Sequence, residues 1–283
     1  MDLQPLLNYL QEERCLCFSA YCRPMVERRL EMRQQAVHCN TEATYLEYLA
    51  LHPEELDCLV DALTINVSSF FRNPLVFEYL AQEILPALIM EKQRHGDSCL
   101  RVWSAGCAEG EEPYSVAILI DDLLKKEKDR FEVNVFGTDI NARAIQRAHA
   151  GVYAQESLKT MRWGFLQEYF TDRKDGFHLS GAIKTHVQFS QQDLLHPLAN
   201  APTDSVFGDF DVVLCRNVLI YLESEAQDLV LKKLYRSLAA HGYLILGEAE
   251  TPPLRYCERF TTVSPECHIF KNNELEWLGN NTT

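Results

Sequence analysis

A loop rich in glycine and glutamate follows one of the short apolar runs and could hold a small ligand. The run LRVWSA leads into SAGCAEGEEPYS, where Gly106 and Gly110 allow a close approach to the main chain. Glu111 and Glu112 stand just before Pro113, which suits the first turn of a helix. GxGxxG is absent, and acidic side chains here favour a cationic or amine-bearing ligand over a pyrophosphate. Glutamates also stabilise the positive end of a helix dipole, so the loop alone leaves both interpretations open.

The run FEVNVFGTD ends in an acidic residue, Asp139, that could hold the hydroxyls of a ribose. An acidic side chain that follows the second strand commonly has this role in nucleotide-binding α/β folds. Asp139 could instead cap the helix that follows, for which Asn141 is another candidate. Both roles are open at the level of sequence.

Three further segments carry polar side chains where strands or helices are predicted to end. Ligands of open α/β sheets bind at the carboxyl ends of the strands, so these side chains are candidates for one cleft. They are Asp193 and Leu194 in QQDLL, Arg216, Asn217 and Tyr221 in FDVVLCRNVLIYL, and Asn66, Ser68 and Arg72 in TINVSSFFRNP. The last segment also fits an ordinary helix end with Phe70 and Phe71 in the core, and Tyr221 also fits a core tyrosine.

The elements that would position these residues are helices first and then strands alternating with helices. Up to about Phe71 the apolar residues recur three and four apart, which predicts helices and no strand. After RHGDS the predicted strands are LRVWSA, FEVNVFGTD, THVQFSQQD, FDVVLC, GYLILGE and CHIFK, with helices around 112–127, 141–150 and 224–239. This order predicts an α/β fold with a mostly parallel sheet. The segment FTDRKDGFHLSGAIK predicts a small β appendage and no helix.

The composition is that of a folded, acidic protein. The 283 residues are 47% hydrophobic and 24% charged, with a formal net charge of −14. This charge argues against non-specific binding to nucleic acid. No apolar run approaches the roughly 18 residues of a membrane span and the first residues do not resemble a signal peptide, so we expect a cytoplasmic protein. The ten cysteines form no CxxC pair, which predicts reduced thiols and no metal site.

In several of these segments the chain resembles the CheR family of chemotaxis methyltransferases. The matching segments are TINVSSFFRNP, RVWSAGCAEGEEPYSVA, FGTDINARAIQRAHAGVY, LQEYF, FSQQDLLHP, FDVVLCRNVLIYL and GYLILGEAE, in the family's order and over nearly the whole length. The resemblance implies a Rossmann-like class I methyltransferase sheet, an amino-terminal all-helical domain and an inserted β subdomain, in a bacterial protein. We therefore expect a substrate-recognition domain at 1–75 and a methyltransferase domain at 76–283, with the β subdomain at about 171–186.

The resemblance also implies an activity. The family transfers the methyl group of S-adenosylmethionine to glutamate side chains of chemoreceptors, which leaves glutamyl methyl esters and S-adenosylhomocysteine. The expected partner is therefore the cytoplasmic helical domain of chemoreceptors, with no nucleic acid and no membrane insertion. Two alternatives stay open: a methyltransferase of the same fold that acts on another signalling protein or a small acid, and a regulatory module that binds the cofactor with little turnover.

The resemblance assigns a role to each candidate residue by its position in the family's segments. The cofactor would lie against the loop after Trp103, and the residues expected to contact it are Asn66, Ser68, Arg72, Glu112, Asp139, Asp193, Leu194, Arg216 and Asn217, with Glu111 as the alternative to Glu112. Asp139 would hold the ribose, and Asp193 with Leu194 the adenine side. Arg72 and Tyr221 would orient the acceptor or the cofactor carboxylate, and they are the expected catalytic residues.

A basic helix, YCRPMVERRLEMRQQ, stands out in the amino-terminal part of this acidic chain. Its basic residues are Arg23, Arg28, Arg29 and Arg33. Spacing alone favours a solvated face paired with Glu27 and Glu31. The resemblance reverses this preference, because a basic face beside the active site would attract acidic receptor helices. The four arginines are therefore the expected substrate-binding residues.

The chain departs from the family's usual pattern at three places. Val67 stands where the family usually has glutamate, in the sequence Asn66-Val67-Ser68. Asp193 stands where asparagine is expected, which replaces an amide with a group that only accepts hydrogen bonds when ionised. The β appendage is a few residues shorter than in members that dock the receptor's carboxyl-terminal peptide, which puts that docking mode in doubt.

Overall fold

The computed structural model describes residues 3–14, 16–64, 66–125, 131–197, 201–202, 205, 208–256 and 258–273. The amino-terminal part of these residues folds as a bundle of α1 (Gln4–Arg14), α2 (Arg23–Ala36), α3 (Glu42–Leu51) and α4 (Pro53–Thr64). Each helix places a fully buried leucine in the shared core, because its apolar residues recur on one face. These leucines are Leu10, Leu30, Leu49 and Leu59. The predicted all-helical amino-terminal region is confirmed.

A longer helical stretch leads from the bundle to the sheet. It consists of α5 (Pro74–Tyr79), a π-helical segment (Leu80–Ile84) and α6 (Leu85–His95). Gly96 ends α6 in the left-handed region at φ 70°, which suits a residue without a Cβ. The other described helices are α7 (Glu111–Leu124), α8 (Ala142–Ala150), α9 (Trp163–Tyr169), α10 (Gly181–Lys184) and α11 (Ser224–Ser237), with 3-10 turns at Gln155–Leu158, Leu219–Tyr221 and Leu254–Tyr256.

The strands of the described residues form two sheets. They are β1 (Cys99–Ala105), β2 (Glu132–Asp139), β3 (Val152–Tyr153), β4 (Phe170–Arg173), β5 (Gly176–Leu179), β6 (Val187–Gln191), β7 (Phe210–Cys215), β8 (Leu238–Leu246), β9 (Phe260–Ser264) and β10 (Ile269–Asn272). The larger sheet has the order β6-β2-β1-β7-β8-β10-β9. Neighbouring strands from β6 to β8 pair in parallel, whereas β10 is antiparallel to β8 and β9. The predicted α/β fold with a mostly parallel sheet is confirmed.

The strand order defines where a ligand can bind. From β1 the chain proceeds outward through β2 to β6, and then returns to the other side of β1 with β7 and β8. Such a reversal opens a crevice at the carboxyl ends of the central strands. Trp103 fixes the ends of β1 and β2 there, because its buried Nε1 donates to Thr138 Oγ1 at 3.0 Å. The crevice is therefore flanked by the loops in which the polar candidates cluster.

The small sheet differs from the predicted β appendage in its extent. Its order is β3-β5-β4, so it begins with Val152–Tyr153, before the predicted range of 171–186. The helical turn α10 lies within the predicted appendage, where Ser180 caps it by accepting the N–H of Ala182 at 3.3 Å. Strands β3 and β9 were not predicted, because one has two residues and the other is a short edge strand without strict alternation. Among the described residues, no helix is long and apolar enough to cross a membrane.

Candidate active site

A cleft opens at the carboxyl ends of the central parallel strands, with an empty volume of ≈ 970 Å³ out to its mouth. Every residue expected to bind the cofactor or to act in catalysis lies in its wall: Asn66, Ser68, Arg72, Glu112, Asp139, Asp193, Leu194, Arg216, Asn217 and Tyr221. Five separate segments of the sequence therefore meet in one cavity.

The loop between β1 and α7 forms one wall and depends on glycine. Gly106 has φ 78°, and a Cβ at this residue would come within 2.4 Å of Val218 Cγ2. The N–H groups of Gly106 and Cys107 both donate to the carbonyl of Thr138, at 2.7 and 2.9 Å. Gly110 precedes α7 at φ 91°, again in the left-handed region. The absence of a side chain at Gly106 lets the loop approach Val218 after β7, and its absence at Gly110 allows close packing against Ala148 and Phe189.

Asp139 lies at the tip of β2 and is 8% exposed. Its Oδ2 accepts the N–H of Ala108 at 2.8 Å, and its Oδ1 accepts the N–H of Asn141 at 2.9 Å. Burial raises the pKa of Asp139 above its ordinary value, against the opposing effect of these donors. Asn141 is the cap of α8, since its side chain accepts from Arg143 and Ala144. The carboxylate of Asp139 therefore keeps acceptor capacity for hydroxyl groups in the cleft.

Glu112 and Arg216 form a buried ion pair across the cleft. Arg216 Nη1 donates to Glu112 Oε2 at 3.1 Å, and the two side chains are 2% and 13% exposed. Ser104 Oγ donates to the other carboxylate oxygen at 2.8 Å, and Arg216 Nη2 donates to the carbonyl of Arg72 at 2.9 Å. The guanidinium also lies 5.5 Å from the ring centre of Phe77. The pair neutralises Glu112 and ties α7 to β7 and to the segment around Arg72.

The segment TINVSSFFRNP supplies another wall. Phe70 and Phe71 are buried in the core, as the helix-end interpretation predicted for the aromatic pair. Arg72 Nη1 donates to the carbonyl of Val67 at 3.0 Å, which folds the segment back on itself. Among the described carboxylates none pairs with Arg72, so its guanidinium can meet an anionic group in the cleft. Val67 is 73% exposed at the rim, so an apolar side chain stands where the family usually has glutamate.

Glu111, the alternative to Glu112, faces the protein interior. It is 2% exposed, and burial raises its pKa to about 7. The charge of Glu109 raises this pKa further, whereas hydrogen bonds from the Glu111 main chain and from Ser68 and Ser157 lower it. Its Oε2 has no hydrogen-bond partner among the described residues. Of the two adjacent glutamates, Glu112 is the one in the cleft wall.

The loop after β6 is held by a lysine that sequence reasoning missed. Lys233 of α11 is 4% exposed, and its Nζ donates to the carbonyls of Leu194 and His196 at 2.7 and 2.5 Å. Asp193 turns the same loop, because its Oδ1 accepts the N–H of Leu195 at 2.8 Å. Burial raises the pKa of Asp193 and lowers that of Lys233. A lysine within the apolar face of LVLKKLY was the available signal.

A second missed residue, Glu250, shapes the loop that carries Asn217 and Tyr221. Glu250 is 3% exposed and follows β8 within GEAE. Its carboxylate accepts five main-chain N–H groups: Asn217 at 2.9 Å, Val218 at 2.8 Å, Leu219 at 2.7 Å, Ile220 at 3.3 Å and Gly247 at 2.7 Å. Asn217 adopts φ 61°, which these bonds help to maintain. The acidic residue after an apolar strand was a signal, but its target could not be read from the sequence.

The basic helix α2 begins beside this loop. The N–H of Cys22 donates to the carbonyl of Tyr221 at 2.8 Å, so the first turn of α2 lies near the mouth of the cleft. Arg23 pairs with Glu27 at 2.9 Å, as the solvated-face interpretation predicted. Arg28 is exposed and Arg29 is half-buried. Among the described residues, neither of them forms an ion pair.

Arg33, expected to bind substrate, has a different role in the structure. Its Nε and Nη2 donate to Glu55 Oε1 and Oε2 at 2.9 and 2.5 Å, which links α2 to α4. Glu55 is 5% exposed and also accepts from Tyr45 Oη at 2.8 Å. A bidentate pair with a buried carboxylate satisfies the guanidinium within the bundle. The structure therefore gives Arg33 a partner within the bundle, its substrate role stays a prediction, and Arg28 and Arg29 are the residues of the basic helix without a described ion pair.

The chemistry of the cleft suits S-adenosylmethionine, the expected cofactor. Asp139 and Asp193 can accept from ribose hydroxyls and an adenine amine, and Arg72 can attract a carboxylate. Gly106 contributes main chain alone to the wall. Among the described residues, no group of three or more His, Cys, Asp and Glu side chains is placed to hold a metal ion. The wall thus offers complementary groups for both ends of this cofactor.

Comparison with known proteins assigns the family. Residues 66–267 match the CheR methyltransferase SAM binding domain, and residues 1–64 match the CheR methyltransferase all-alpha domain. The chain is 34% identical over 235 residues to the chemotaxis protein methyltransferase of Salmonella typhimurium, covering 81% of this chain and 76% of that protein. It is 30% identical over 247 residues to chemotaxis protein methyltransferase 2 of Vibrio cholerae, with 86% and 83% covered.

A third relative is much longer than the chain. An uncharacterized 104.1 kDa protein of Rhodobacter capsulatus is 34% identical over 233 residues, which are 82% of this chain and 24% of that protein. The two matched domains together span most of the 283 residues, and one of them is the cofactor-binding domain of the family. The chain therefore belongs to the CheR methyltransferase family and is an S-adenosylmethionine-dependent methyltransferase.

Proposed function

We propose that the chain methylates glutamate side chains on the cytoplasmic helices of chemoreceptors and so forms glutamyl methyl esters. Its relatives in Salmonella typhimurium and Vibrio cholerae carry the name chemotaxis protein methyltransferase. The observation that carries the proposal is the convergence of Arg72 and Tyr221 with the candidate cofactor residues in one cleft. In this proposal residues 1–75 recognise the receptor, residues 76–283 carry out the transfer, and both act in the cytoplasm.

The chain's contribution to this reaction is alignment. The cofactor, when bound, supplies an activated methyl group on a positively charged sulfur. A glutamate acceptor with an ordinary pKa of ~4.3 is ionised at neutral pH, so the chain need not provide a general base. Positioning of the reacting groups can contribute on the order of 7–11 kcal/mol. The residues of the wall must therefore hold the acceptor carboxylate in line without binding it so tightly that the ground state is stabilised.

The charges in the part of the cleft near Arg72 favour an anionic acceptor. Glu112 is neutralised by Arg216 at 3.1 Å, which removes the repulsion that a free carboxylate would exert. Arg72 lines the same cleft and can attract either the acceptor or the cofactor carboxylate. Tyr221 supplies a hydroxyl that can orient that carboxylate. We propose Arg72 and Tyr221 as the residues that touch the reacting groups.

The basic face of α2 supports an acidic helical partner. Arg28 and Arg29 follow Cys22, whose N–H is bonded to Tyr221 beside the cleft. Positive side chains at this place would raise the local concentration of an acidic partner, although the chain as a whole carries −14. The surface is thus suited to bring an acidic receptor helix to the mouth of the site.

A methyl-transfer assay on receptor-rich membranes tests the proposal. Membranes from a strain without its own receptor methyltransferase are incubated with the chain and tritiated S-adenosylmethionine. We expect protein-bound label that base releases as methanol, because methyl esters of carboxylates hydrolyse in base. Arg72→Ala should bind S-adenosylhomocysteine less tightly or incorporate less label. Cofactor binding by the wild type with no base-labile label on receptors would contradict the proposal.

A further inference from the structure

Tyr21 of the helical region reaches the cofactor cleft from outside the sheet. Its side chain is part of the cleft wall, together with Asp139 at the tip of β2 and Asp193 after β6. Its ring packs against Phe18, with ring centres 4.9 Å apart and planes tilted by 52°. Tyr21 also packs against the hydrophobic cluster on one face of the sheet and against the core of the bundle. It therefore links the helical region to the ligand site directly.

The main chain around Tyr21 is held in place by the loop that carries Tyr221. Tyr21 forms an antiparallel bridge with Leu222. The N–H of Cys22 donates to the carbonyl of Tyr221 at 2.8 Å, and the N–H of Glu223 donates to the carbonyl of Ala20 at 2.9 Å. Three consecutive residues of one segment thus pair with three of the other. This pairing fixes the side chain of Tyr21 at the cleft.

We propose that Tyr21 closes the adenosine end of the cofactor site, so that the helical region adds an aromatic side chain to walls built from the strand ends and from the segment around Arg72. The adenosine end is the part of the cleft between Asp139, the candidate ribose ligand, and Asp193 with Leu194, the candidate adenine side. An aromatic ring over this part excludes water and can pack against a base or ribose. Among the described residues, no other tyrosine of the helical bundle lines the cleft.

The hydroxyl of Tyr21 stays protonated at this position. Burial raises its pKa, and the charges of Asp193 and Asp139 raise it further. Proximity of the two carboxylates to the hydroxyl agrees with the location of all three residues in one wall. A neutral phenol can donate one hydrogen bond and accept another, which suits a ribose hydroxyl or either carboxylate.

The proposal links cofactor binding to the loop of Tyr221. A ligand that contacts Tyr21 stabilises the pairing of residues 20–22 with 221–223, because the same segment provides both contacts. The start of α2 follows directly at Arg23. Cofactor binding should therefore stabilise the place where the proposed acceptor surface adjoins the active site.

The role of Tyr21 can be tested without any acceptor protein, by comparing two ligands that have the adenosine end in common. The dissociation constants of S-adenosylhomocysteine and of 5′-methylthioadenosine, which lacks the amino-acid end, are measured by calorimetry. Tyr21→Ala should raise both constants by a similar factor, about tenfold, from the loss of one aromatic contact with the nucleoside. Tyr48→Ala is the matched control, because Tyr48 is also a half-buried tyrosine of the bundle but packs on His52, with ring centres 4.1 Å apart.

If Tyr21→Ala does not fold, the proposal can still be tested by the ligand affinities of Tyr21→Leu and by hydrogen exchange in the wild type. Leucine retains apolar volume and should show a smaller rise in both constants. In the wild type, S-adenosylhomocysteine should slow amide hydrogen exchange at Cys22 and Glu223, whose N–H groups form the pairing. Unchanged affinity for 5′-methylthioadenosine in a folded variant, or unchanged exchange at these amides, would overturn the proposal. These outcomes are independent of which protein is methylated, so they do not depend on the glutamate proposal.

Discussion

Glu111→Gln should make the stability of the protein less sensitive to alkaline pH. Glu111 is 2% exposed, its Oε2 has no partner among the described residues, and burial raises its pKa from an ordinary 4.5 to about 7. A carboxyl whose folded-state pKa is raised stabilises the fold while protonated, and this contribution is lost as the pH rises through about 7. Glutamine stays neutral over the whole range, so it avoids the loss.

The size of the effect follows from the displacement of the pKa. Each pH unit of displacement corresponds to about 1.4 kcal/mol, so ionised Glu111 destabilises the fold by roughly 3 kcal/mol at alkaline pH. Part of this loss of stability has already occurred at pH 5, because pH 5 lies above the unfolded-state pKa of 4.5. Between pH 5 and pH 8.5 the free energy of unfolding of Glu111→Gln, relative to wild type, should therefore rise by about 2.5 kcal/mol.

Urea denaturation at the two pH values measures this change. Any effect of the glutamine side chain on the free energy of unfolding that does not depend on pH cancels, because only the change between pH 5 and pH 8.5 is compared. Glu225→Gln is the control: Glu225 is also in the first turn of its helix, α11, but it is exposed. It should not show the rise. An equal difference between wild type and Glu111→Gln at both pH values would refute the assignment of a raised pKa to Glu111.

Three other variants test the site. Asp139→Ala should weaken S-adenosylhomocysteine binding by about 10- to 100-fold, because roughly 1.5–3 kcal/mol of hydrogen bonding to a charged acceptor is lost. Unchanged affinity in calorimetry would remove Asp139 from the ribose role. Glu250→Gln should lower the rate of methyl transfer at least about tenfold, because an NH₂ group replaces one of the two carboxylate oxygens that accept the five N–H groups. The far-ultraviolet circular dichroism should stay unchanged. Full activity would contradict a positioning role. Arg28→Glu with Arg29→Glu should abolish labelling of receptors and leave the cofactor affinity unchanged, whereas loss of both would indicate misfolding.

Much of the fold could be predicted because the strands differ clearly from the helices in sequence. The runs LRVWSA and FDVVLC correspond to β1 and β7, and their mostly apolar residues are typical of parallel strands covered on both faces. Strand β3 could not be predicted, since it has only two residues and its partner β5 lies far along the chain. Strand β9 pairs with the neighbouring β10 at the edge of the sheet, and its residues do not alternate strictly between buried and exposed.

The site was predictable for residues that directly follow strands. Asp139 and Asn217 stand at strand ends, and parallel strands bring their carboxyl ends to one edge. Glu250 was missed because it binds main-chain N–H groups about 30 residues away along the chain. Tyr21 was missed because it lies in the helical region, far in sequence from the strands whose ends form the cleft. Their roles depend on contacts that no local pattern contains.

By itself the sequence determined the α/β alternation, the helical amino-terminal region and the set of polar side chains that meet at the carboxyl edge of the sheet. These features depend on local periodicity and on the direction of the strands. The tertiary structure alone decided which of the adjacent Glu111 and Glu112 faces the cleft, because neighbouring residues of a helix point about 100° apart and packing selects one face. It likewise decided that Arg33 pairs with Glu55 inside the bundle, since a charge pattern does not specify which partner a folded chain brings near.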